Sequence, residues 1–283
     1  MRAKYVISGD GSVPVAVLMF GCLALMNAQG QTAKGLEVSF EPERADYSLR
    51  DAPVLLLNVR SAAEGPVTID LGRNYEGGFA FTLTQPVGLT VGLGRQEKTG
   101  SAGGTFLDGK LMVPPHSEVI RSIVLSKWFD FSKESHYEIH VTLTTQIGIG
   151  GRSVSKATFS GVVAFTVTAY NVARLEERCK ELLERVRQSD SYSERVAPAT
   201  ILSFVIDPVA VPALQDLTAI DAALADLEIA GLQRIGNRAA VEILIDEALG
   251  PDERVSSTAR AAMRTIRQSS HDPQVIGAID AVQ

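Results

Sequence analysis

Two histidines and a glutamate in the segment His136-Tyr137-Glu138-Ile139-His140 are residue types that bind zinc. On a helix, histidines four residues apart would share one face. Apolar residues alternate with polar ones here, however, and this period of two predicts a β-strand. At ~3.3 Å per residue, the histidines then lie about 13 Å apart. This distance excludes a single ion bound by both, and the alternation predicts that His136 and His140 face solvent.

A glycine-rich segment, Gly92-Leu93-Gly94-Arg95-Gln96-Glu97-Lys98-Thr99, has the general composition of a phosphate-binding loop. Glu97 stands where such a loop needs its second glycine, and its carboxylate would repel a phosphate. No amphipathic helix follows that would offer its N-terminus to an anion. We therefore expect no bound nucleotide and no cofactor.

The other candidates for catalysis are one cysteine and two pairs of adjacent acids. Cys179 shares a predicted helical stripe with Leu175 and Leu182, which predicts a buried side chain and not a nucleophile. Asp246-Glu247 and Asp252-Glu253 flank a predicted helix junction, where acids usually cap helices. We predict no catalytic residue and no metal site, so an enzyme, such as a hydrolase with an unrecognised site, is only a second alternative.

Two clusters are candidates for binding a partner. Trp128, Phe129 and Phe131 bring together the only tryptophan and two of the ten phenylalanines. They could anchor a protein or glycan, or instead close one end of a β-sheet core. Arg260, Arg264 and Arg267 share one face of a predicted helix. They could receive an acidic partner, or form a solvated face paired with nearby acids.

Residues 1–30 have the pattern of a secretion signal. Arg2 and Lys4 form a positive start, the apolar run 13–26 follows, and Ala28 and Gly30 occupy the two positions that a signal peptidase reads. This run has fourteen residues, whereas a membrane-spanning helix needs about twenty. Cys22 follows a glycine as in a lipoprotein signal, but the apolar run continues past it. We expect a cleaved signal, no transmembrane segment in the mature chain and no lipid anchor.

Composition also limits the class of partner. The chain has 283 residues, 45% of them hydrophobic and 21% charged, which is typical of a packed globular protein. Its net charge is −6; without residues 1–30 it has 25 basic and 32 acidic residues, so the net charge is −7. An acidic chain without a dominant basic face argues against a nucleic-acid partner. With Cys179 as the only remaining cysteine, no intramolecular disulfide can form.

The elements that must position these residues divide into two unlike parts. Between Leu36 and Thr168 the apolar period is two, and glycine and proline mark the turns. About seven strands are predicted, with Pro53 to Arg60 as a central strand because it is almost continuously apolar. The pattern predicts an immunoglobulin-like β-sandwich over residues 31–170. The segment from Pro86 to Gly109 interrupts it and is expected to be a long loop, either disordered or functional.

From Asn171 onward the apolar period is that of helices, which predicts an α-helical domain over residues 171–283. A weak repeat of 31 residues relates Ala199, Ala230 and Ala261, and likewise the large apolar residues that follow each alanine. A turn and a second apolar helix come after each copy. The pattern predicts helix pairs stacked in a short solenoid.

Two stretches carry a resemblance to a known family. The run Asp207, Pro208, Val211 and Leu214, together with the helix over 229–236, resembles bacterial HEAT-like repeats of the armadillo type. The resemblance covers residues 190–283 and rests on hydrophobic positions. It implies a concave protein-binding surface and not a reaction.

These observations together predict a non-enzymatic binding or scaffold protein of the bacterial envelope. It would reside in the periplasm, at the cell surface or outside the cell, with the helical repeats presenting a surface to an unidentified protein. The alternative is a protease-inhibitor-like or adhesion module that acts through the sandwich loops, which requires the segment 86–109 to be ordered.

The predicted secretion signal over residues 1–30 can be tested directly. N-terminal sequencing of the chain recovered from a bacterial envelope fraction should begin at Gln31, because cleavage is expected after Gly30. Substituting Cys22→Ser should leave that processing unchanged. A mature chain that begins with an acylated Cys22 would contradict the prediction.

Overall fold

The structure, a computed structural model, describes residues 31–33, 35–72, 76–85, 109–150 and 152–282. Within these residues the chain forms ten β-strands followed by seven α-helices. The strands are β1 (Gln31–Ala33), β2 (Leu36–Pro42), β3 (Asp46–Ser48), β4 (Val54–Ser61), β5 (Val67–Asp70), β6 (Phe79–Gln85), β7 (Lys110–Val113), β8 (Glu118–Val124), β9 (Ser135–Ile149) and β10 (Arg152–Thr168). The helices are α1 (Val172–Gln188), α2 (Tyr192–Ser203), α3 (Val211–Ile220), α4 (Ala225–Ile235), α5 (Arg238–Leu249), α6 (Glu253–Ser269) and α7 (Pro273–Asp280).

The described strands form two sheets. One has four strands in the order β1-β2-β4-β8; the other has six, in the order β3-β10-β9-β5-β7 with β6 also paired to β9. Apolar side chains from both sheets form one core, consistent with a β-sandwich. Strands β1, β3, β5 and β7 have only three or four residues each, too few to show a period of two. The prediction of about seven strands was therefore too low.

The predicted alternation along β9 is confirmed. Tyr137 is buried in the core, whereas His136 and His140 are exposed. On β10, Gly161 lies against Phe40 of β2, and a Cβ atom at position 161 would stand 2.8 Å from the Phe40 ring. Glycine is thus needed here because an aromatic ring from the other sheet fills the space of its side chain.

The predicted change of period at Asn171 is also confirmed. The Asn171 side-chain oxygen accepts a hydrogen bond from the Arg174 amide at 3.1 Å, which caps the start of α1. Leu175, Cys179 and Leu182 are buried along one face, as the helical spacing predicts.

The later helices lie in two rows. Helix α2 contacts α4 and α4 contacts α6, while α3 contacts α5 and α5 contacts α7. Ile201, Leu232 and Met263, related by the 31-residue spacing, are all buried in this arrangement. The alanines of the same repeat differ, because Ala199 is buried but Ala261 is exposed. Helix α6 contacts α4 on one side, and no further described helix extends that row beyond it.

The two halves of the chain share an apolar core. Val54 and Val124 pair at one end of the four-stranded sheet and Ala52 precedes β4, yet all three belong to the same buried cluster as the helices. The Phe204 ring, just after α2, lies under the Arg234 guanidinium at 3.7 Å and near the Lys127 ammonium at 5.9 Å. The helices therefore pack directly onto the outer face of this sheet.

A buried arginine stands at the centre of this junction. Arg178 of α1 is 1% exposed, donates a hydrogen bond to Glu43 and lies 3.9 Å from the Asp51 carboxylate. Glu43 also accepts from Arg185 at 2.9 Å. Burial raises the pKa of Asp51, and the Arg178 charge opposes that rise. Two acids from the loops beside β3 are thus held by one cation from α1.

Removing the Arg178 charge should destabilise the folded protein. We expect Arg178→Ala to lower the free energy of unfolding by about 3–5 kcal/mol, because the buried Asp51 would lose the Arg178 charge and Glu43 would keep only its contact with Arg185. The midpoint and slope of urea denaturation of the full chain measure this loss.

Arg174 supplies the matched control. It comes from the same helix and pairs with Asp46 across the same junction at 3.1 Å, but its side chain is 39% exposed. Arg174→Ala should therefore cost only about 0–1 kcal/mol. Equal losses for the two variants would show that burial does not set the strength of the Arg178 contacts.

A buried carboxylate connects two of the helices. Glu228 of α4 is 1% exposed and accepts hydrogen bonds from the hydroxyl and the amide of Thr218 in α3. Its second oxygen, Oε1, is buried without a hydrogen-bond partner in the described structure. Burial raises the pKa of Glu228 to about 7, and the nearby Glu247 charge adds to that rise. At neutral pH this side chain therefore lies close to its titration midpoint.

We expect Glu228→Gln to stabilise the protein at pH 8 by about 1–3 kcal/mol, and much less at pH 5. The pKa in the folded state lies above the ordinary 4.5, so this group's contribution is complete below pH 4.5 and is lost as the pH rises through about 7. Glutamine keeps an acceptor for Thr218 and cannot ionise. Urea denaturation at both pH values measures the difference, with the exposed Glu242→Gln as control. A gain of equal size at pH 5 and pH 8 would contradict this assignment.

Candidate functional site

A cleft of about 620 Å³ lies where the four-stranded sheet meets the first two helices. One wall comes from β4 and β8, and the other from the end of α1 and the first half of α2. Its apolar lining consists of Leu56 and Ile120 from the strands and Ala197 and Pro198 from α2. The volume is within the range of ligand-binding pockets. We refer to this feature as the junction cleft.

Local sequence fixes the helical wall. Ser191 and Glu194 form a reciprocal capping box at the start of α2, so the helix begins immediately beside the cleft. Pro198 lies inside α2 and has no amide hydrogen, which leaves the Glu194 carbonyl without its usual helical donor. Glu194, Ala197 and Pro198 all line the cleft, so the residue with this spare backbone acceptor belongs to the helical wall.

The acidic groups of the cleft are already engaged. Glu43 accepts from Arg178 and Arg185, and Glu194 accepts from the amides of Asp190 and Ser191 at 3.2 and 3.3 Å. These contacts neutralise or satisfy the carboxylates within the protein. The two arginines of the cleft, Arg121 and Arg185, are likewise engaged within the protein. What remains for a ligand is apolar surface, the Gln188 amide, serine hydroxyls and backbone.

Strand β8 forms an open edge at the cleft. It is the last strand in the order β1-β2-β4-β8, so within the described residues only β4 pairs with it. The Leu125 amide donates to the Pro53 carbonyl and the Ser61 amide to the Ser117 carbonyl, one at each end of the ladder. Hydrogen-bonded and non-hydrogen-bonded pairs alternate in an antiparallel ladder. The odd-numbered residues of β8 therefore bond to β4, and the even-numbered ones direct their backbone groups away from it.

Three of these outward residues are accessible. Glu118 and Ile120 are exposed and Ser122 is half-buried, whereas Val124 is covered by the helices. In the described part of the chain no hydrogen bond reaches the backbone of Ile120 or Ser122 from the open side. The Ile120 side chain is 58% exposed, so it adds apolar surface beside the open backbone groups.

The predicted aromatic candidates lie mainly in the sandwich core. Phe129 and Phe131 are each 8% exposed, and the Phe131 ring contacts the rings of Tyr137 and Phe165. Trp128 is half-buried, with its ring 4.6 Å from that of Phe81. The structure thus places these residues away from the junction cleft, in the core position that the sequence also allowed.

The three predicted arginines lie on the exposed face of α6. Arg260 donates to the Ala248 carbonyl at 2.9 Å, and Arg267 makes two hydrogen bonds to Asp280, the shorter of 2.5 Å. For Arg264 no ion pair occurs among the described residues. Two of the three are therefore used within the helical half, and a role for them in binding a partner stays a prediction.

The candidates for chemistry lie apart from one another. His140 stands 4.0 Å from Glu138 on the outer face of β9, and no group of three metal-binding side chains occurs in the described residues. Burial raises the pKa of Cys179 to about 12, so its thiol stays protonated at neutral pH. The glycine-rich segment 92–99, the loop 86–108 and the leader lie outside the described residues.

Sequence reasoning missed the junction cleft. The position of β8 at a sheet edge depends on pairing between distant segments, which the local pattern does not reveal. Arg185 and Pro198 carry no motif that marks them as part of a binding surface. The one available signal was the proline inside a helical pattern, which often has a structural or functional reason.

Comparisons with known proteins give little further information. No protein-family model and no curated protein matches the sequence. Among solved structures, the chain is similar to native alpha-2-macroglobulin from Escherichia coli, in a crystal structure that spans domain MG7 to the C-terminus. The identity is 10% and the TM-score 0.27, over 87% of this chain and 54% of the other. So weak a likeness leaves both fold and function to be argued from the chain itself. Helices long and apolar enough to cross a membrane are absent from the described residues.

Proposed function

We propose that this chain is an exported, non-enzymatic binding protein of the bacterial envelope, and that its junction cleft binds a protein partner. The observation that carries the proposal is the open edge of β8 beside the junction cleft. An edge strand with accessible backbone groups pairs readily with another chain unless it is covered or charged. Here the exposed Ile120 at its centre adds apolar contact surface.

Rigid walls support a binding role. One wall is the four-stranded sheet and the other consists of α1 and α2, and the buried contacts of Arg178 with Glu43 and Asp51 hold them together. A site whose walls are fixed before binding loses less conformational entropy when a partner is bound.

The chemistry of the cleft supports binding over catalysis. None of its described lining residues is a histidine or cysteine. Glu43 and Glu194 are engaged by internal hydrogen bonds, so neither is poised as a free general base. A nucleophile, a base and an oxyanion donor would have to converge there for a hydrolase.

The proposal includes the type of fold of each half of the chain. We infer an immunoglobulin-like arrangement for the two sheets, and a short HEAT-like array for the helices after α1. The rows α2-α4-α6 and α3-α5-α7, with buried residues at a 31-residue spacing, support the array. Export is supported by the charged start, apolar run and small residues of segment 1–30.

Single substitutions test the location of the binding surface. We expect Ile120→Lys in the full chain to reduce capture of its partner from bacterial envelope extract at least about tenfold, because it replaces the apolar residue at the centre of the edge by a charge that a bound partner would have to desolvate. Capture is measured by quantitative mass spectrometry against the unchanged protein.

Leu249→Lys is the matched control, since Leu249 is equally apolar and 70% exposed but lies at the end of α5. It should capture the same partner at the unchanged level. Loss of the partner with Leu249→Lys alone would instead place the binding surface on the helical array. Unchanged capture with both variants would remove the support for the junction cleft.

A further inference from the structure

We propose that the partner contributes an extended, uncharged peptide segment that adds to β8 as a further strand of the four-stranded sheet. This inference rests on the proposed function, namely that the junction cleft binds a protein. It specifies the chemistry of the partner at that site, which is the polypeptide backbone itself.

The spacing of the accessible backbone groups identifies the ligand. Glu118, Ile120 and Ser122 direct their backbone amides and carbonyls to the open side of β8, and successive sets are separated by about 6.7 Å. An extended peptide presents donors and acceptors at the same interval. A compact small molecule or a sugar has no such repeat. The edge therefore matches a peptide strand of about five residues.

The accessible length of the edge is limited at one end. Val124, the next outward residue, is only 2% exposed because the helices cover it. A strand added to β8 must therefore end or turn near Ser122, where α2 begins to close the cleft. There the Glu194 carbonyl, which lacks its usual helical donor, can accept a hydrogen bond from the peptide.

The side chains beside the edge favour an uncharged segment. Ile120, Leu56 and Ala197 offer apolar surface to alternate side chains of an added strand. The charged residues that line the cleft are two acids and two arginines, which balance one another: Glu43, Glu194, Arg121 and Arg185. Arg185 pairs with Glu43 at 2.9 Å, and Arg121 is also engaged within the protein. A charged peptide would therefore meet no excess of opposite charge, whereas an apolar or hydroxyl side chain needs none.

Strand addition makes a specific prediction about backbone groups. The probe is a display library of random dodecapeptides selected on the full chain, followed by one enriched peptide made synthetically. Ile120→Pro removes an amide that faces the open side, while the ladder to β4 uses the odd-numbered residues and is retained. The peptide should bind this variant about tenfold more weakly.

The matched control is Ile120→Val, which keeps both the amide and an apolar side chain and should bind as the unchanged protein does. Thermal melting of each variant checks the fold. A second measurement needs no protein variant: N-methylation at successive peptide positions should abolish binding at alternate residues only, because a strand uses every second amide to pair with its neighbour.

The outcomes separate the two proposals. If Ile120→Lys loses the peptide but Ile120→Pro and all N-methylated peptides bind normally, the junction cleft is a binding site and strand addition is wrong. If Ile120→Lys also binds normally, both proposals fail. Selection that enriches no peptide overturns the present inference. So does a dimer of the protein alone that Ile120→Pro dissociates, since the occupant of the edge would then be a second copy.

Discussion

The arrangement of this molecule depends on one buried cation. Arg178 has to be paired in a low-dielectric junction, and both of its principal partners, Glu43 and Asp51, lie in loops of the β-sheet half. An isolated charge at such depth would cost several kcal/mol, so the three groups are stable only when α1 lies in one position against the sheets. The apolar contacts of Ala52, Val54 and Val124 with the helices also stabilise this junction. Because apolar contacts are non-directional, they orient α1 less strictly than the Arg178 contacts do.

The position of α1 in turn creates the junction cleft. Helix α2 follows α1 after a short turn, and its capping box at Ser191 fixes where it begins. The helices cover the end of the four-stranded sheet around Val54 and Val124 and leave β8 open from Glu118 to Ser122. The same packing therefore covers one end of this sheet and leaves its β8 edge accessible. Proteins usually cover the edges of their sheets, so an edge left open beside a fixed wall is the feature that most suggests binding.

Three buried titratable groups with shifted pKa values lie in the packed interior and not at the open edge. Cys179, Asp51 and Glu228 have pKa values raised by burial, yet all three lie in the packed interior and away from the open edge. Their perturbation reflects the cost of burying polar groups between helices and sheets, and not a site prepared for proton transfer. The binding that we propose therefore rests on backbone groups and apolar surface, and not on these ionisable side chains.

The sequence by itself determined the order of the elements: strands to Thr168, a helix cap at Asn171 and paired helices afterwards. These features are local, since a period of two or 3.6 and a capping residue are set by neighbours in the chain. It also indicated that Phe129 and Phe131 could belong to a core. Only the tertiary structure decided that Arg178 is buried, that β8 is an edge and that Ile120 lies beside α2. Strand order and burial of a charge depend on contacts between residues far apart in sequence, and hydrophobic periodicity carries no information about which segments will meet.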